Sequence, residues 1–194
     1  MGIPEVGASS PRKLRGVFLD RDGVINRALV REGKPYPPAT LEELEILPDA
    51  LPALSDLKKR GFLLLVVTNQ PDVGRGLLQH DLVERMNQLL SSALPLDDVL
   101  VCYHTHEDGC ECRKPRPGLL MQAAREWDLD LPKSYMIGDR WRDIDAGHNA
   151  GCITILIDRG YNERASAKPP HVKVNSLREA ADWILQSALQ EGGL

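Results

Sequence analysis

The chain has 194 residues, of which 42% are hydrophobic and 27% charged, so it can bury a substantial core and its length fits one domain. Its formal net charge of -4 argues against nucleic-acid-coating and membrane-surface proteins, which usually carry a large basic patch. A small anionic substrate is still compatible with this net charge if positive side chains around the binding site outweigh the net negative charge of the chain. We therefore expect no nucleic-acid partner, no membrane association and, because no long apolar seam is visible, a monomer.

The first fifteen residues contain no apolar stretch of signal-peptide length, and no later segment approaches the length of a membrane span. These two observations predict a cytoplasmic protein. Residues 1–14 have the composition of a flexible leader, and residues 15–190 are predicted to form a single domain.

Apolar runs alternate with helical patterns along the chain. The strands are predicted at 16–20, 62–69, 99–104, 134–138 and 152–157. The helices between and after them are predicted at about 47–60, 79–93, 117–127, 143–150 and 177–190. This alternation predicts an α/β fold with a doubly wound, mostly parallel, Rossmann-like sheet and helices on both faces. The proline-rich segment 33–40 is predicted to be an irregular loop.

Four segments with chemically useful side chains follow predicted strands or open the loops after them. They are Asp20-Arg21-Asp22-Gly23, Thr68-Asn69, Arg113-Lys114-Pro115, and Gly138-Asp139 followed by Asp143. Ligands of open α/β sheets bind at the carboxyl ends of the strands. The four segments are therefore predicted to meet at one site.

Phosphoryl transfer through an enzyme carboxylate needs a nucleophile, an acid for the leaving group, donors for phosphoryl oxygens and a cation. Asp20 suits the nucleophile, and Asp22 suits the general acid and base. Thr68 and Asn69 offer neutral hydrogen-bond donors, and Lys114 offers a point charge between Asp20 and the phosphate.

The same segments supply oxygen ligands for a hard cation. Asp139, supported by Asp143, would complete a Mg²⁺ site with Asp20 and the backbone carbonyl of Asp22. Each motif alone is an ordinary loop, strand end or turn. Their order at successive strand ends favours the catalytic interpretation.

In this order the motifs resemble those of the haloacid dehalogenase (HAD) superfamily of phosphatases. The resemblance covers about residues 15–160 and rests on Asp20 to Asn26, Thr68-Asn69, Lys114 and Gly138 to Asp143. It implies the HAD fold and an aspartyl-phosphate intermediate. The intervals between motifs hold no segment long enough for a large cap domain, so we expect an open site.

A second cluster of potential ligands lies just before Lys114. Cys102, His104, Cys110 and Cys112 offer three thiolates and one imidazole, which suits a closed, structural Zn²⁺ site in loop 102–112. The alternative is a cluster of reduced surface thiols, which would be liable to oxidation.

The zinc-loop pattern followed by Arg113-Lys114-Pro115 resembles one branch of the superfamily. That branch contains the D-glycero-D-manno-heptose 1,7-bisphosphate 7-phosphatases and the histidinol-phosphate phosphatase domains. The first group implies hydrolysis of the 7-phosphate in nucleotide-activated heptose biosynthesis, for lipopolysaccharide core or a related glycan. The second group implies a step of histidine biosynthesis with the same catalytic residues.

The heptose group is favoured by the residues around the motifs. The resemblance of this chain to that group implies that the substrate is contacted by Thr68, Asn69, Gln70, Arg75, Arg113, Lys114 and Arg140. A bisphosphate carries a second phosphate, which Arg113 and Arg140, together with Arg75, are placed to bind. The alternative for Arg75 and Arg140 is solvated surface charge. Pro71 departs from the heptose pattern, in which a small residue commonly follows Thr-Asn-Gln.

Two hypotheses of other kinds are disfavoured. A catalytically silent, zinc-bearing interaction module would be free to lose Asp20, Asp22, Lys114 and Asp139, yet all four are present. A nucleic-acid end phosphatase would need a basic or aromatic strip that the sequence lacks.

Overall fold

The computed structural model describes residues 13–191 and contains a six-stranded, wholly parallel sheet with the strand order β5-β4-β1-β6-β7-β8. The sheet strands are β1 (Gly16–Leu19), β4 (Leu63–Asn69), β5 (Asp98–Cys102), β6 (Tyr135–Gly138), β7 (Ile153–Ile157) and β8 (Val172–Val174). A separate antiparallel hairpin consists of β2 (Leu29–Arg31) and β3 (Lys34–Tyr36). The doubly wound α/β prediction is confirmed.

Strand β1 lies between β4 and β6, and the chain winds away from it in both directions. The strand order therefore reverses beside β1. This is the position at which open parallel sheets form a ligand-binding crevice. The residues that follow β1, β4 and β6 meet there.

Two hydrophobic cores cover the two faces of the sheet. The helices are α1 (Ala50–Lys59), α2 (Pro71–Gly74), α3 (His80–Ala93), α4 (Gly118–Glu126), α5 (Trp141–Ala150) and α6 (Leu177–Glu191). Side chains of α1, α3 and α6 contribute to one core, and those of α4 and α5 contribute to the other. Within β1, Val17 and Leu19 belong to the first core and Phe18 to the second, as the twofold periodicity of a strand requires.

The prediction of an irregular loop at 33–40 is wrong for its first half, because Lys34–Tyr36 is a strand of the hairpin. The turn residues Glu32 and Gly33 both have positive φ angles, 51° and 73°, which is the backbone of a tight two-residue hairpin turn. Pro35 pairs with Val30. It is tolerated because a two-stranded ribbon has only edge strands, on which one missing N–H can point away from the partner.

Other differences concern two short elements and the start of the domain. Strand β8 and helix α2 were not predicted. Leu14, placed in the predicted leader, exchanges backbone hydrogen bonds with Asp128 and Asp130, so the ordered domain includes this residue. The rest of the predicted leader, residues 1–12, lies outside the described part of the chain. Over residues 13–191, no separate cap domain covers the site, and no helix has the length and apolar character needed to cross a membrane.

Candidate active site

Asp20 follows β1 directly and forms the centre of a buried cluster. Its Oδ1 lies 2.9 Å from the Lys114 Nζ and accepts a 2.8 Å hydrogen bond from the Arg21 backbone N–H. Burial is the main reason that the pKa of Asp20 is raised to about 6, and the positive charge of Lys114 opposes this effect. Only 8% of Asp20 is exposed.

The ammonium group of Lys114 has three partners. It lies 2.7 Å from Asp143 Oδ1 as well as near Asp20, and it donates a 2.7 Å hydrogen bond to the Val67 carbonyl. Burial alone would lower the pKa of Lys114, but the negative charges of Asp143 and Asp20 outweigh it and raise the pKa. Lys114 therefore remains an ammonium ion that is fully engaged with the protein.

Three carboxylates, those of Asp20, Asp139 and Asp143, meet within 4.8 Å of one another, and all three are buried. With the single ammonium of Lys114 they leave a formal charge of -2. Both carboxylate oxygens of Asp139 are buried without a well-formed hydrogen bond. Burial and the charges of Asp20 and Asp143 raise the pKa of Asp139 well above its ordinary value. A bound divalent cation would neutralise the charge of -2, coordinate the unpaired oxygens of Asp139 and favour its ionised form. The residues therefore fit a site for a hard metal ion.

Two glycines of the motifs allow this close packing. Gly23 has a φ of 89°, and a Cβ atom there would lie 1.8 Å from the Asp139 Oδ2. A Cβ atom on Gly138 would lie 2.1 Å from the Asp143 Cβ. Larger residues at these two positions would push the carboxylates apart.

Asp22 is held by a network of donors. Its carboxylate accepts hydrogen bonds from the Arg21 guanidinium, from the Asn26 Nδ2 at 2.9 Å and from the Gln70 Nε2 at 2.8 Å. Arg21 is fully buried and is fixed in turn by Asn87 on α3. The side chain of Asp22 is still 15% exposed, so it borders the cleft from a fixed position.

The three predicted contacts at the carboxyl end of β4 occupy different environments. Thr68 is buried at the cleft floor, and its hydroxyl accepts a 3.0 Å bond from the Gln70 side chain. Asn69 makes reciprocal hydrogen bonds with the backbone N–H and carbonyl of Lys114. Gln70 is completely buried and bonds to Thr68 and Asp22. In this structure, Asn69 and Gln70 therefore position Lys114 and Asp22.

An open cleft of about 720 Å³ lies above Asp20. The hairpin segment 34–37, the segment 105–116 and the start of α5 line its walls. Arg75, Arg113 and Arg140 all line the cleft, as predicted substrate contacts would. Arg75 pairs with Asp72 at 3.1 Å, and Arg113 donates to the His104 carbonyl.

Arg140 has a partner that the sequence did not reveal. Its guanidinium binds both carboxylate oxygens of Glu163. Nearby, Tyr161 is partly buried, and this burial together with the charge of Asp139 raises the pKa of its hydroxyl. Sequence patterns alone indicate no role for residues 161–175. Their position just after β7, the strand next to β6, is the signal that could have identified Tyr161 and Glu163.

The predicted sulfur and imidazole ligands also come together. Separations of 3.2–3.7 Å join Cys112 to Cys102, Cys110 and the His104 Nδ1, and Cys102 to Cys110 and His104. Ligands about 2.3 Å from a tetrahedral metal would lie roughly 3.8 Å apart, which is close to this spacing. All three thiols are free, and His106 is outside the cluster. The cluster can hold a metal ion, and Cys112 is two residues from Lys114.

Comparisons with known proteins agree with this geometry. The family model described as HAD-hydrolase-like matches residues 111–180. A D-glycero-beta-D-manno-heptose-1,7-bisphosphate 7-phosphatase from Helicobacter pylori is 34% identical over 180 residues, covering 88% of this chain and 97% of the relative. The enzyme of the same name from Yersinia pestis is 34% identical over 184 residues, covering 88% and 89% of the two chains.

A solved structure is also similar over most of this chain. It is the D,D-heptose 1,7-bisphosphate phosphatase from B. bronchiseptica in complex with magnesium and phosphate, which aligns with a TM-score of 0.73 and 28% identity. The alignment covers 90% of this chain and 99% of that one. The likeness therefore extends over most of this chain.

Proposed function

Because this chain belongs to the HAD-like hydrolases, in the family of the D-glycero-beta-D-manno-heptose-1,7-bisphosphate 7-phosphatases, we propose that it hydrolyses the 7-phosphate of heptose 1,7-bisphosphate. It is a phosphoric monoester hydrolase. The observation that carries the substrate proposal is the joint presence of the Asp20, Lys114 and Asp139 cluster and 34% identity to enzymes of that name. The relatives' names favour the heptose substrate over histidinol phosphate.

In the first half of the reaction, a carboxylate oxygen of Asp20 attacks the phosphorus. Oδ1 is occupied by Lys114 and the Arg21 N–H, so Oδ2 is the oxygen available for attack. The bond from phosphorus to the sugar oxygen breaks as the bond to Asp20 forms. Asp22 transfers its proton to the leaving oxygen and becomes a carboxylate.

In the second half, water attacks the aspartyl phosphate. Asp22 takes a proton from this water, inorganic phosphate leaves, and the carboxylate of Asp20 is restored. The donors that fix Asp22 support both roles, because a proton carrier must keep its place after the sugar has left. Thr68 and Lys114 at the cleft floor would stabilise charge on the phosphoryl oxygens.

The chemistry of HAD phosphatases uses Mg²⁺, and Asp20 and Asp139 with the Asp22 carbonyl would hold it here. When bound, the ion supplies charge neutralisation to the nucleophile and the phosphoryl group. Asp143 supports this site: its Oδ1 pairs with Lys114 and its Oδ2 accepts the Arg140 backbone N–H at 3.0 Å.

The substrate proposal is tested by phosphate release in the presence of Mg²⁺. The substrates are both anomers of D-glycero-D-manno-heptose 1,7-bisphosphate and histidinol phosphate. We expect kcat/KM for the beta anomer to exceed that for histidinol phosphate at least about 100-fold, since a second phosphate adds charge-assisted contacts. The released sugar should retain its 1-phosphate. A preference for histidinol phosphate would contradict the proposal.

The Cys-His cluster is proposed to hold a structural Zn²⁺ ion. Its ligands come from β5 and the segment leading to Lys114, so the ion would fix the start of that segment. Removing the metal is expected to lower the melting temperature by several degrees, because about 1 kcal/mol shifts it by about 2–4 °C for a domain of this size.

Metal content and thermal melting test the zinc proposal. The wild type and His106→Ala, which alters an imidazole outside the cluster, should each hold one Zn²⁺ per chain, whereas Cys110→Ser should hold less and melt earlier. An unchanged melting temperature after verified zinc loss would contradict a structural role.

We propose a small phosphorylated sugar as the only substrate class, no nucleic-acid or membrane partner, and a monomer in the cytoplasm. The net charge of -4 supports the absence of a polyanionic partner.

A further inference from the structure

The positive side chains of the cleft differ in how far the protein neutralises them. Arg75 pairs with Asp72, Arg116 with Glu111, and Arg140 with Glu163. Arg142 also lines the cleft, but among residues 13–191 no carboxylate forms an ion pair with its guanidinium. It is therefore a cation whose charge the protein leaves available to a ligand.

The position of Arg142 is restrained by its neighbours. It lies in the first turn of α5, directly before the buried Asp143. Its guanidinium is 5.1 Å from the centre of the Trp141 ring. Trp141 also contacts Arg164, whose guanidinium lies 3.5 Å from the ring centre. These contacts reduce the entropy that Arg142 would lose on binding a ligand.

The surroundings of Arg142 favour an anion. The side chain is half-buried and lines the cleft together with Arg113 and Arg140. Since Glu163 already binds Arg140, the group of three arginines carries more positive than negative charge. A second anionic group of a substrate would relieve this imbalance.

We infer that Arg142, together with Arg113, binds the phosphate that is not hydrolysed and so determines the preference for a bisphosphate over a monophosphate. This inference rests on the proposed function, because it takes the second phosphate from the proposed substrate. It assigns specificity to a residue of the fourth motif, Gly138 to Asp143, for which the sequence patterns indicated no role. Arg140, by contrast, is engaged with Glu163 and is available only if that pair opens.

Arg142→Gln tests the inference against Arg125→Gln, which removes the same charge from the exposed side of α4, outside the cleft. The substrates are heptose 1,7-bisphosphate and heptose 7-phosphate, which share the reacting phosphate. We expect Arg142→Gln to raise KM for the bisphosphate roughly 10- to 100-fold, with less than about a threefold change for the monophosphate. Arg142→Lys should restore part of the preference, and Arg125→Gln should change neither substrate.

The outcomes separate this inference from the proposed function. If Arg142→Gln raises KM equally for both substrates, or for neither, the role of Arg142 is overturned. The proposed function still stands in that case, provided that the wild type hydrolyses the bisphosphate. A wild type that does not hydrolyse the bisphosphate would overturn the proposed function and the inference with it. Melting curves of each variant confirm that the comparison is made on folded protein.

Discussion

Replacing Asp20 with asparagine is expected to lower kcat at least about 10⁴-fold while leaving the protein folded. A neutral amide cannot act as the anionic nucleophile, and no phosphoenzyme can form. The melting temperature should change by only a few degrees, because two effects oppose each other. The variant loses the 2.9 Å contact to Lys114, but it no longer buries a charge whose desolvation raises the pKa of Asp20 to about 6.

Steady-state phosphate release and acid-quenched mass spectrometry test this expectation. The wild type, quenched during turnover, should carry one phosphoryl group on the peptide that contains Asp20. Asp81→Asn is the matched control, because it makes the same chemical change at a side chain that is 99% exposed on α3. Turnover of Asp20→Asn within tenfold of wild type would rule out the aspartyl-phosphate mechanism.

Replacing Lys114 with methionine is expected to lower the free energy of unfolding by about 3–5 kcal/mol at neutral pH, because buried carboxylates would lose their cation. For a domain of this size, that corresponds to a melting temperature lower by about 6–20 °C. Activity should fall as well, since the ammonium group no longer offsets the charges of Asp20 and the phosphate.

Added Mg²⁺ gives this prediction a sharper test. In the Lys114→Met variant, the three carboxylates carry a larger uncompensated charge, so Mg²⁺ should raise its melting temperature more than that of wild type. Lys59→Met, at a side chain that is 77% exposed on α1, is the control and should melt like wild type. An unchanged melting temperature for Lys114→Met would contradict the description of this buried cluster.

Much of the fold could be predicted because its signals are local. The run Leu63 to Val67 is apolar at every position, which indicates a strand buried on both faces. The motif residues could be assigned to one site because each lies at the end of a strand or in the loop after it, and parallel strands end at the same edge.

The unpredicted parts depend on weak local signals or on long-range contacts. The hairpin turn uses Glu32, a residue that rarely adopts a positive φ, so no Asn-Gly or Asp-Gly signal marks it. Strand β8 has three residues with Lys173 at its centre, too few for a periodic pattern. The burial of Gln70 against Asp22 and the pairing of Arg140 with Glu163 join residues far apart in the chain.

The order of the sheet separates the groups that react from the groups that surround the substrate. Asp20, Thr68 and Asp139 are anchored at the central strands β1, β4 and β6, whereas the cleft walls come from the hairpin, the segment 105–113 and Glu163. The hairpin and the segment after β7 are joined by a backbone hydrogen bond from Asn162 to the Gly33 carbonyl. Substitutions in these walls can therefore change the accepted substrate without moving the carboxylates. In evolution or in engineering, this scaffold can acquire new substrates while its reaction stays the same.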